Sequence, residues 1–290
     1  MKIKQYRTYF IEELAPFYDA YEAESFFYLI LEDKHKLRQI DLALNHELVF
    51  EEADIEKWKI LLTELKKEVP IQYLLGKTNF YGLDFEVNEH VLIPRPETEE
   101  LVEWIISENS KIERFKNLKI LDIGTGSGCI AISLAKNIPN AKVFAIDVSE
   151  DALAMAKKNA KNNNVAVTFL LQSILETDDL KQDFDIIVSN PPYIRNLEKE
   201  EIKKNVLDYE PHLALFVQDN DALLFYRKIA ELAQKNLVEN GQLYFEINQY
   251  LGTEMTDLLE KMNFKNIELR KDIYDNDRMI SCKKSEKLQI

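Results

Sequence analysis

The sequence predicts a doubly wound α/β sheet of seven strands, preceded by a small helical bundle. Three observations carry that prediction. From about residue 115 onward, short apolar runs alternate with stretches of helical periodicity, the pattern of a parallel sheet with helices on both faces. Three of the seven glycines, Gly124, Gly126 and Gly128, crowd into one five-residue stretch where the first run gives way to the first helical stretch. No glycine precedes Gly76, and the early apolar residues fall at helical spacing.

The chain has 290 residues, enough for about two domains. Hydrophobic residues are 46% of it and charged residues 30%, a composition that buries a core. A net charge of −14 opposes a surface built to grip nucleic acid, because phosphate binding relies on clustered Lys and Arg. The two cysteines, Cys129 and Cys282, exclude a disulfide scaffold and suit a reducing compartment, and Cys129 at a loop-to-helix junction is expected to pack rather than react. The N-terminus is broken by charges and reads as no signal peptide, and no apolar run reaches the roughly 18 residues of a membrane span. A soluble cytoplasmic monomer is the expectation.

Residues 1–70 read as helices, with 10 basic and 15 acidic residues in positions 1–75, so this part is no basic arm. Ile55, Trp58, Leu62, Leu65 and Val69 define one helix, with Asp54 as its expected N-cap and Pro70 as its stop. Ser25 is the expected cap of an earlier helix. Residues 71–96 read as a linker with short strands, and 97–290 as the α/β domain. Its expected strands are Lys119–Gly124, Lys142–Val148, Val167–Gln172, Phe184–Ser189 and Gln242–Ile247, followed by an antiparallel edge pair at Ile267–Arg270 and Arg278–Cys282. The expected helices between them include Cys129–Lys136, Asp151–Asn162 and Ala222–Leu237.

The first chemical motif is Asp122-Ile-Gly124-Thr125-Gly126-Ser127-Gly128, running from strand into helix. Its glycines let a ligand lie against bare backbone at a helix N-terminus. The next strand ends at Asp147, an acid placed to accept both hydroxyls of a ribose. The bland alternative is a tight turn with Asp147 as a helix cap. A dinucleotide loop is spaced G-x-G-x-x-G around a pyrophosphate, whereas this one is G-x-G-x-G with Cys129 following, which favours S-adenosylmethionine.

The second motif is Asn190-Pro191-Pro192-Tyr193, delivered by the fourth strand into the same crevice. An amide or exocyclic amine nitrogen is a poor nucleophile because its lone pair is delocalised. The Asn190 side-chain carbonyl and the Pro191 backbone carbonyl offer two acceptors that orient such an N–H₂ group. The prolines contribute no competing N–H and stiffen the turn, and Tyr193 can stack on a planar group. The bland alternative is a rigid turn with a packed tyrosine.

Asn190–Tyr193 on this scaffold resembles the amino-group methyltransferases that use S-adenosylmethionine. Pro70–Gly76, Phe80-Tyr81-Gly82, Val91–Glu99, Glu210-Pro211, Leu223, Phe225, Tyr226 and Asp277-Arg278 are similar to the release factor glutamine methyltransferases within that group. The resemblance implies a Rossmann-like methyltransferase sheet and a partner-binding helical domain. It implies methyl transfer from S-adenosylmethionine, leaving S-adenosylhomocysteine, to the side-chain amide nitrogen (N5) of the glutamine in a Gly-Gly-Gln loop of peptide chain release factors. Gly124, Thr125, Gly126, Ser127, Gly128, Asp147, Leu175 and Asn190 would hold the cofactor. Asn190, Pro191, Pro192 and Tyr193 would hold the amide, with Asn190, Pro191 and Tyr193 catalytic. The stretch Gln172–Leu175 departs from the family's usual acid-then-aromatic pattern. No metal is implied, and His35, His46, His90 and His212 are scattered without ligand spacing. Arg95, Glu97 and Glu99 read either as a gate at the pocket or as solvated charges. The alternatives are a ribosomal-protein glutamine methyltransferase, an adenine-N6 or guanine-N2 nucleic-acid methyltransferase, and a nicotinamide-dependent oxidoreductase.

Overall fold

The structure is a computed structural model that describes residues 1–109 and 118–285. The chain forms two compact units, Met1–Gly76 with Lys203–Tyr209, and Lys77–Ile202 with Glu210–Ile290. The segment 71–96, expected as a linker, is shared between them.

The first unit contains α1 (Ile3–Leu14), α2 (Ala20–His35), α3 (Gln39–Leu44), α4 (Glu52–Leu65) and α5 (Ile71–Leu75). Tyr6, Phe10 and Phe27 converge on Trp58, which is 1% exposed, with ring centroids at 5.7, 5.6 and 4.9 Å. The Trp58 indole N–H donates to His35 Nε2 at 3.0 Å, so His35 must be neutral on that nitrogen. Burial, assisted by Lys57 and opposed by Asp54, holds the His35 imidazole below its ordinary value of 6.5.

Two expected caps move. Asp19, not Ser25, caps α2, its carboxylate accepting from the Tyr21 and Glu22 N–H groups at 2.9 Å. An ionised acceptor at the positive end of a helix outcompetes a hydroxyl inside the first turns. Helix α4 begins after Glu51 and leaves Asp54 within its first turn. Its end comes at Leu65, before Pro70, because Glu68 adopts a left-handed φ of 64° and the Val69 N–H folds back onto the Glu64 carbonyl.

The second unit opens with the hairpin β1 (Lys77–Phe80) and β2 (Leu83–Glu86), followed by α6 (Pro96–Asn109). Then come β3 (Lys119–Ile123), α7 (Cys129–Asn137), β4 (Lys142–Asp147), α8 (Glu150–Asn162), β5 (Val167–Leu171) and β6 (Phe184–Ser189). Next are β7 (Ile194–Arg195) and a 3-10 turn at Asn196–Glu201. Helix α9 (Lys204–Tyr209) belongs to the first unit, and α10 (His212–Leu215) and β8 (Phe216–Val217) return to the second. The unit finishes with α11 (Leu224–Asn236), β9 (Leu237–Glu246), α12 (Gly252–Lys261), β10 (Lys265–Lys271) and β11 (Asp277–Lys283).

The seven-stranded sheet has the order β5-β4-β3-β6-β9-β11-β10. Only β11 runs against its neighbours, forming the expected antiparallel pair with β10. Strand β6 has the bounds that its flanking Asp183 and Asn190 suggest. Strand β9 starts well before the expected Gln242. Leu237 is already extended and pairs with Phe184, and an irregularity lets the pairing resume at Ile186–Gln242.

One rung of this sheet positions the site. Ile146 of β4 pairs with Ile123 of β3, Ile123 with Ser189 of β6, and Ser189 with Phe245 of β9. The next residue on each strand, Asp147, Gly124, Asn190 and Glu246, therefore emerges along one edge. The Ser189 hydroxyl, donating to the Ile123 carbonyl at 2.7 Å, pins the central pair.

The His35–Trp58 bond makes a pH prediction for the helical unit. A histidine with a depressed folded pKa stabilises the fold above its unfolded value and loses that contribution as pH falls through 6.5 toward the folded value. The Trp58 indole ¹H–¹⁵N signal should stay protected from exchange at pH 7.5 and lose protection at pH 5.5. His35→Gln, which keeps an acceptor but cannot protonate, should flatten this dependence; an equally steep loss in that variant would remove His35 as its cause.

Candidate active site

The row of strand ends opens into a cavity of about 370 Å³. Gly124, Gly126 and Asp147 lie on its wall with Ile146 and Leu175, and so do Asn190, Pro191 and Pro192. The nucleoside-type residues and the amide-gripping motif thus share one cavity.

The glycine loop is held from both sides. Gly124 and Thr125 donate their N–H groups to the Ile146 carbonyl at 2.9 and 3.1 Å. The Gly126 N–H donates to Asp147 Oδ2 at 2.8 Å, and Asp147 Oδ1 accepts from the Ser149 N–H at 3.0 Å. An ionised carboxylate has about four acceptor sites, so each oxygen keeps capacity for a ligand hydroxyl. Asp147 is thereby both a turn-forming residue and a free acceptor on the cavity wall.

Gly128 is enclosed by packing and is not on the cavity wall. Its φ is +85°, and a Cβ there would meet Ile132 Cδ1 at 2.8 Å and Ala156 Cβ at 3.1 Å. Thr125 and Ser127 are buried and absent from the cavity wall. Thr125 donates its hydroxyl to Asp122 Oδ2 at 2.6 Å, and the Ser127 carbonyl accepts from Asn159 Nδ2 at 2.9 Å. Asp122 is fully buried, and its Oδ2 also accepts the Ala131 N–H at 3.3 Å. Burial pushes this carboxyl up to about 7, against the pull of the Thr125 and Ala131 bonds. Cys129 is buried and its thiol is pushed up to about 12 by desolvation, so it is packing, not nucleophile.

At the other end, Asn190 is half-buried and its Nδ2 donates to Thr98 Oγ1 at 3.3 Å. Thr98, in the first turn of α6, donates in turn to Glu246 Oε2 at 2.5 Å. Glu246 Oε1 accepts from the Tyr193 hydroxyl at 3.2 Å. Burial raises the Glu246 carboxyl, while the Thr98 and Tyr193 hydroxyls and Arg278 oppose the rise. Burial and the Glu246 charge push the Tyr193 phenol well up, so it stays a donor. Tyr193 packs against the core beneath β6 and β9 and is not on the cavity wall. Asn248 Nδ2 bonds the Tyr193 carbonyl at 3.2 Å and Glu198 Oε2 at 3.1 Å, which fixes the backbone of the motif.

Leu175 is 40% exposed and lies on the wall with Gln172, Ser173 and Ile174. Arg95 forms an ion pair with buried Glu210, which also accepts the Ile93 N–H at 3.2 Å. Glu99 accepts the Tyr81 N–H at 2.9 Å. These charges have internal partners. Among the described residues no group of three or more His, Cys, Asp or Glu side chains could hold a metal ion.

Thr98 and Glu246 were not singled out from the sequence. Glu246 had a signal, since it is the lone charge within the apolar run Leu243–Ile247. Thr98 lies within the Val91–Glu99 segment, but nothing local marks its own role, because its partner is 148 residues away.

The Methyltransferase small domain family matches residues 105–211. The release factor glutamine methyltransferase of Flavobacterium psychrophilum is 67% identical over 97% of this chain and 98% of its own length. The chain belongs to the release factor glutamine methyltransferase family. The enzyme of that name from Bacteroides thetaiotaomicron is 43% identical over 95% of this chain and 98% of its own length. A methyltransferase crystal structure from Pyrococcus furiosus is 20% identical, covers 71% of this chain and 91% of its own, and has a TM-score of 0.51, a likeness of fold. Family membership thus agrees with a cavity that joins a glycine loop to Asn190–Pro192.

Gly128→Ala should lower stability by on the order of 2 kcal/mol, combining left-handed strain with a clash against Ile132 and Ala156. Thermal unfolding of the ligand-free protein measures this. A wild-type melting temperature would mean that α7 and α8 are not packed as described.

Proposed function

We infer that this chain transfers the methyl group of S-adenosylmethionine to the side-chain amide nitrogen of a glutamine in peptide chain release factors, the glutamine of their Gly-Gly-Gln loop. The single observation that carries the reading is the shared rung. It brings Asp147, a bare glycine loop and the Asn190-Pro191-Pro192 motif to one cavity wall, which supports reading Asp147 as a ribose acceptor beside an amide grip.

The residues fit the cofactor. Asp147 retains acceptor capacity for two ribose hydroxyls, Gly124 and Gly126 offer backbone without side chains, and Ile146, Ile174 and Leu175 supply an apolar slot for adenine. When bound, S-adenosylmethionine supplies an activated methyl on a sulfonium. The chain's own groups orient the acceptor nitrogen. Asn190 Oδ1 and the Pro191 carbonyl accept the two N–H hydrogens of the glutamine amide. With both hydrogens directed, the nitrogen's face is turned toward the donor end of the cavity. Positioning of this kind can supply several of the roughly 7–11 kcal/mol that proximity offers. Tyr193 steadies the turn from beneath through Glu246, instead of stacking on the substrate.

A protein substrate also needs a grip outside the cavity. We assign that role to the helical unit, which leaves Tyr21, Leu44 and Ile60 largely exposed at 87%, 79% and 65%. The reading implies a cytoplasmic monomer acting where translation ends.

The test is incubation with radiolabelled S-adenosylmethionine and purified release factor, ribosomal protein and DNA, followed by peptide mapping. Label is expected on one release-factor glutamine; label on DNA alone would overturn the reading. Asn190→Ala should reduce transfer by about 100-fold or more while the cofactor still binds. Asp147→Ala should raise the cofactor dissociation constant, measured by calorimetry, and an unchanged constant would remove the ribose role.

A further inference from the structure

Asn190 can grip an amide N–H₂ only if its carbonyl end, not its own N–H₂, faces the cavity. A primary amide is nearly symmetric in shape, and sterics alone hardly distinguish its two ends. The direction of a hydrogen-bond chain does. We propose that Glu246, acting through the Thr98 hydroxyl, is a positioning device that fixes the orientation of the Asn190 side chain and so makes the cavity an acceptor for an N–H₂ group. The inference rests on the proposed reaction and deepens it.

The polarity of the chain can be followed bond by bond. Glu246 is 2% exposed and sits on the strand beside Asn190, one rung beyond Phe245–Ser189. As a carboxylate it can only accept. Its Oε2 lies 2.5 Å from Thr98 Oγ1, so the single hydroxyl proton of Thr98 is committed to it. Thr98 is itself 2% exposed. Having given up its proton, Thr98 Oγ1 can only accept from Asn190, and the group it meets at 3.3 Å is Nδ2. Oδ1 is then the end left for an incoming N–H. Tyr193 donates to the second Glu246 oxygen at 3.2 Å, which holds that carboxylate in place without competing for Thr98.

The reverse orientation of Asn190 would put Oδ1 against a Thr98 oxygen that has no proton left to give. Two buried acceptors would face each other, and Nδ2 would confront the substrate's own N–H₂. An unpaired buried polar contact of this kind is strongly disfavoured. Glu246 itself touches neither cofactor nor substrate in this account and takes no proton from the amide.

Thr98→Val removes the hydroxyl with little change in volume, and Thr98→Ser keeps it. Thr98→Val should lower kcat about tenfold or more while KM for release factor and the dissociation constant for S-adenosylmethionine stay near wild type. Thr98→Ser should restore most of the rate. A residue needed only for packing would give the opposite ranking, since Val fills the site and Ser leaves a gap. Wild-type kcat in Thr98→Val, or equal impairment in Thr98→Ser, would overturn the proposal. A second measurement needs neither turnover nor a stable variant. In wild-type protein with ¹⁵N-labelled asparagine, the Asn190 side-chain N–H₂ signals, assigned by their loss in Asn190→Ser, should show a nuclear Overhauser contact to the Thr98 methyl. Absence of that contact would mean that the amide is turned the other way. This arm stands or falls independently of which substrate the enzyme methylates, whereas absence of label on release factor in the wild-type control would count against the proposed reaction and not against the orientation.

Discussion

The register of the central strands is the constraint from which the site follows. Parallel pairing of Ile146, Ile123, Ser189 and Phe245 on one rung brings four chain segments to the same edge. A slip by one residue on any of these strands would exchange the side chains packed into the cores on its two faces and carry its functional residue away from the others. The same burial that sets the register therefore sets the site. The core residues Leu121, Ile187 and Leu243 below the rung hold chemistry in place that they do not touch. Binding at the carboxyl edge, where the chain turns from β4 on one side of β3 to β6 on the other, is what an open α/β sheet offers at its topological switch point.

Two buried acids flank this edge, and they do different work. Asp122 lies under the glycine loop and spends one oxygen on Thr125 and on the start of α7. Its second oxygen has no hydrogen-bond partner among the described residues, and burial pushes its carboxyl up to about 7. Glu246 has a hydroxyl on each oxygen and Arg278 nearby to offset desolvation. Burying a charge costs several kcal/mol unless it is bonded, so a polar network at a strand end is retained where orientation matters more than stability. Glu246 ties together α6, the turn after β6 and the end of β9.

The sequence displays the local parts of this design and conceals the relational ones. Strand β6 is legible to the residue because Phe184–Ser189 is apolar and bounded by Asp183 and Asn190. Helix α7 and strand β3 are legible from the switch in periodicity around the glycines. The start of β9 is not, because the bulge after Leu237 contains Glu239, Asn240 and Gly241, which read as a loop. Caps fail where several polar residues compete, as Asp19 does with Ser25. Motif residues point to a site but not to which of their atoms face the cavity. Thr125 and Ser127 sit within the loop, yet their side chains turn inward, whereas Thr98 lies outside the motif and touches Asn190. Those assignments require knowing which strands are neighbours, and that information is spread over the whole chain.

The number of acceptors at the site is itself selective. An alcohol presents one O–H and can satisfy one of two converging carbonyls, leaving the other desolvated and unpaired. A primary amide presents two coplanar N–H groups and satisfies both. A site built to bond a substrate's polar hydrogens rejects analogues lacking one far more strongly than an apolar pocket rejects a missing methyl. Under the proposed reading, two acceptors, one on Asn190 and one on the proline backbone, favour an N–H₂ group before any other substrate contact is made. The adjacent prolines add nothing that could bond to those carbonyls in its place. Under the proposed reading, fixing the Asn190 amide end-for-end decides whether the bound N–H₂ group is held in reacting position, because a reversed amide offers only one acceptor and one repelling donor.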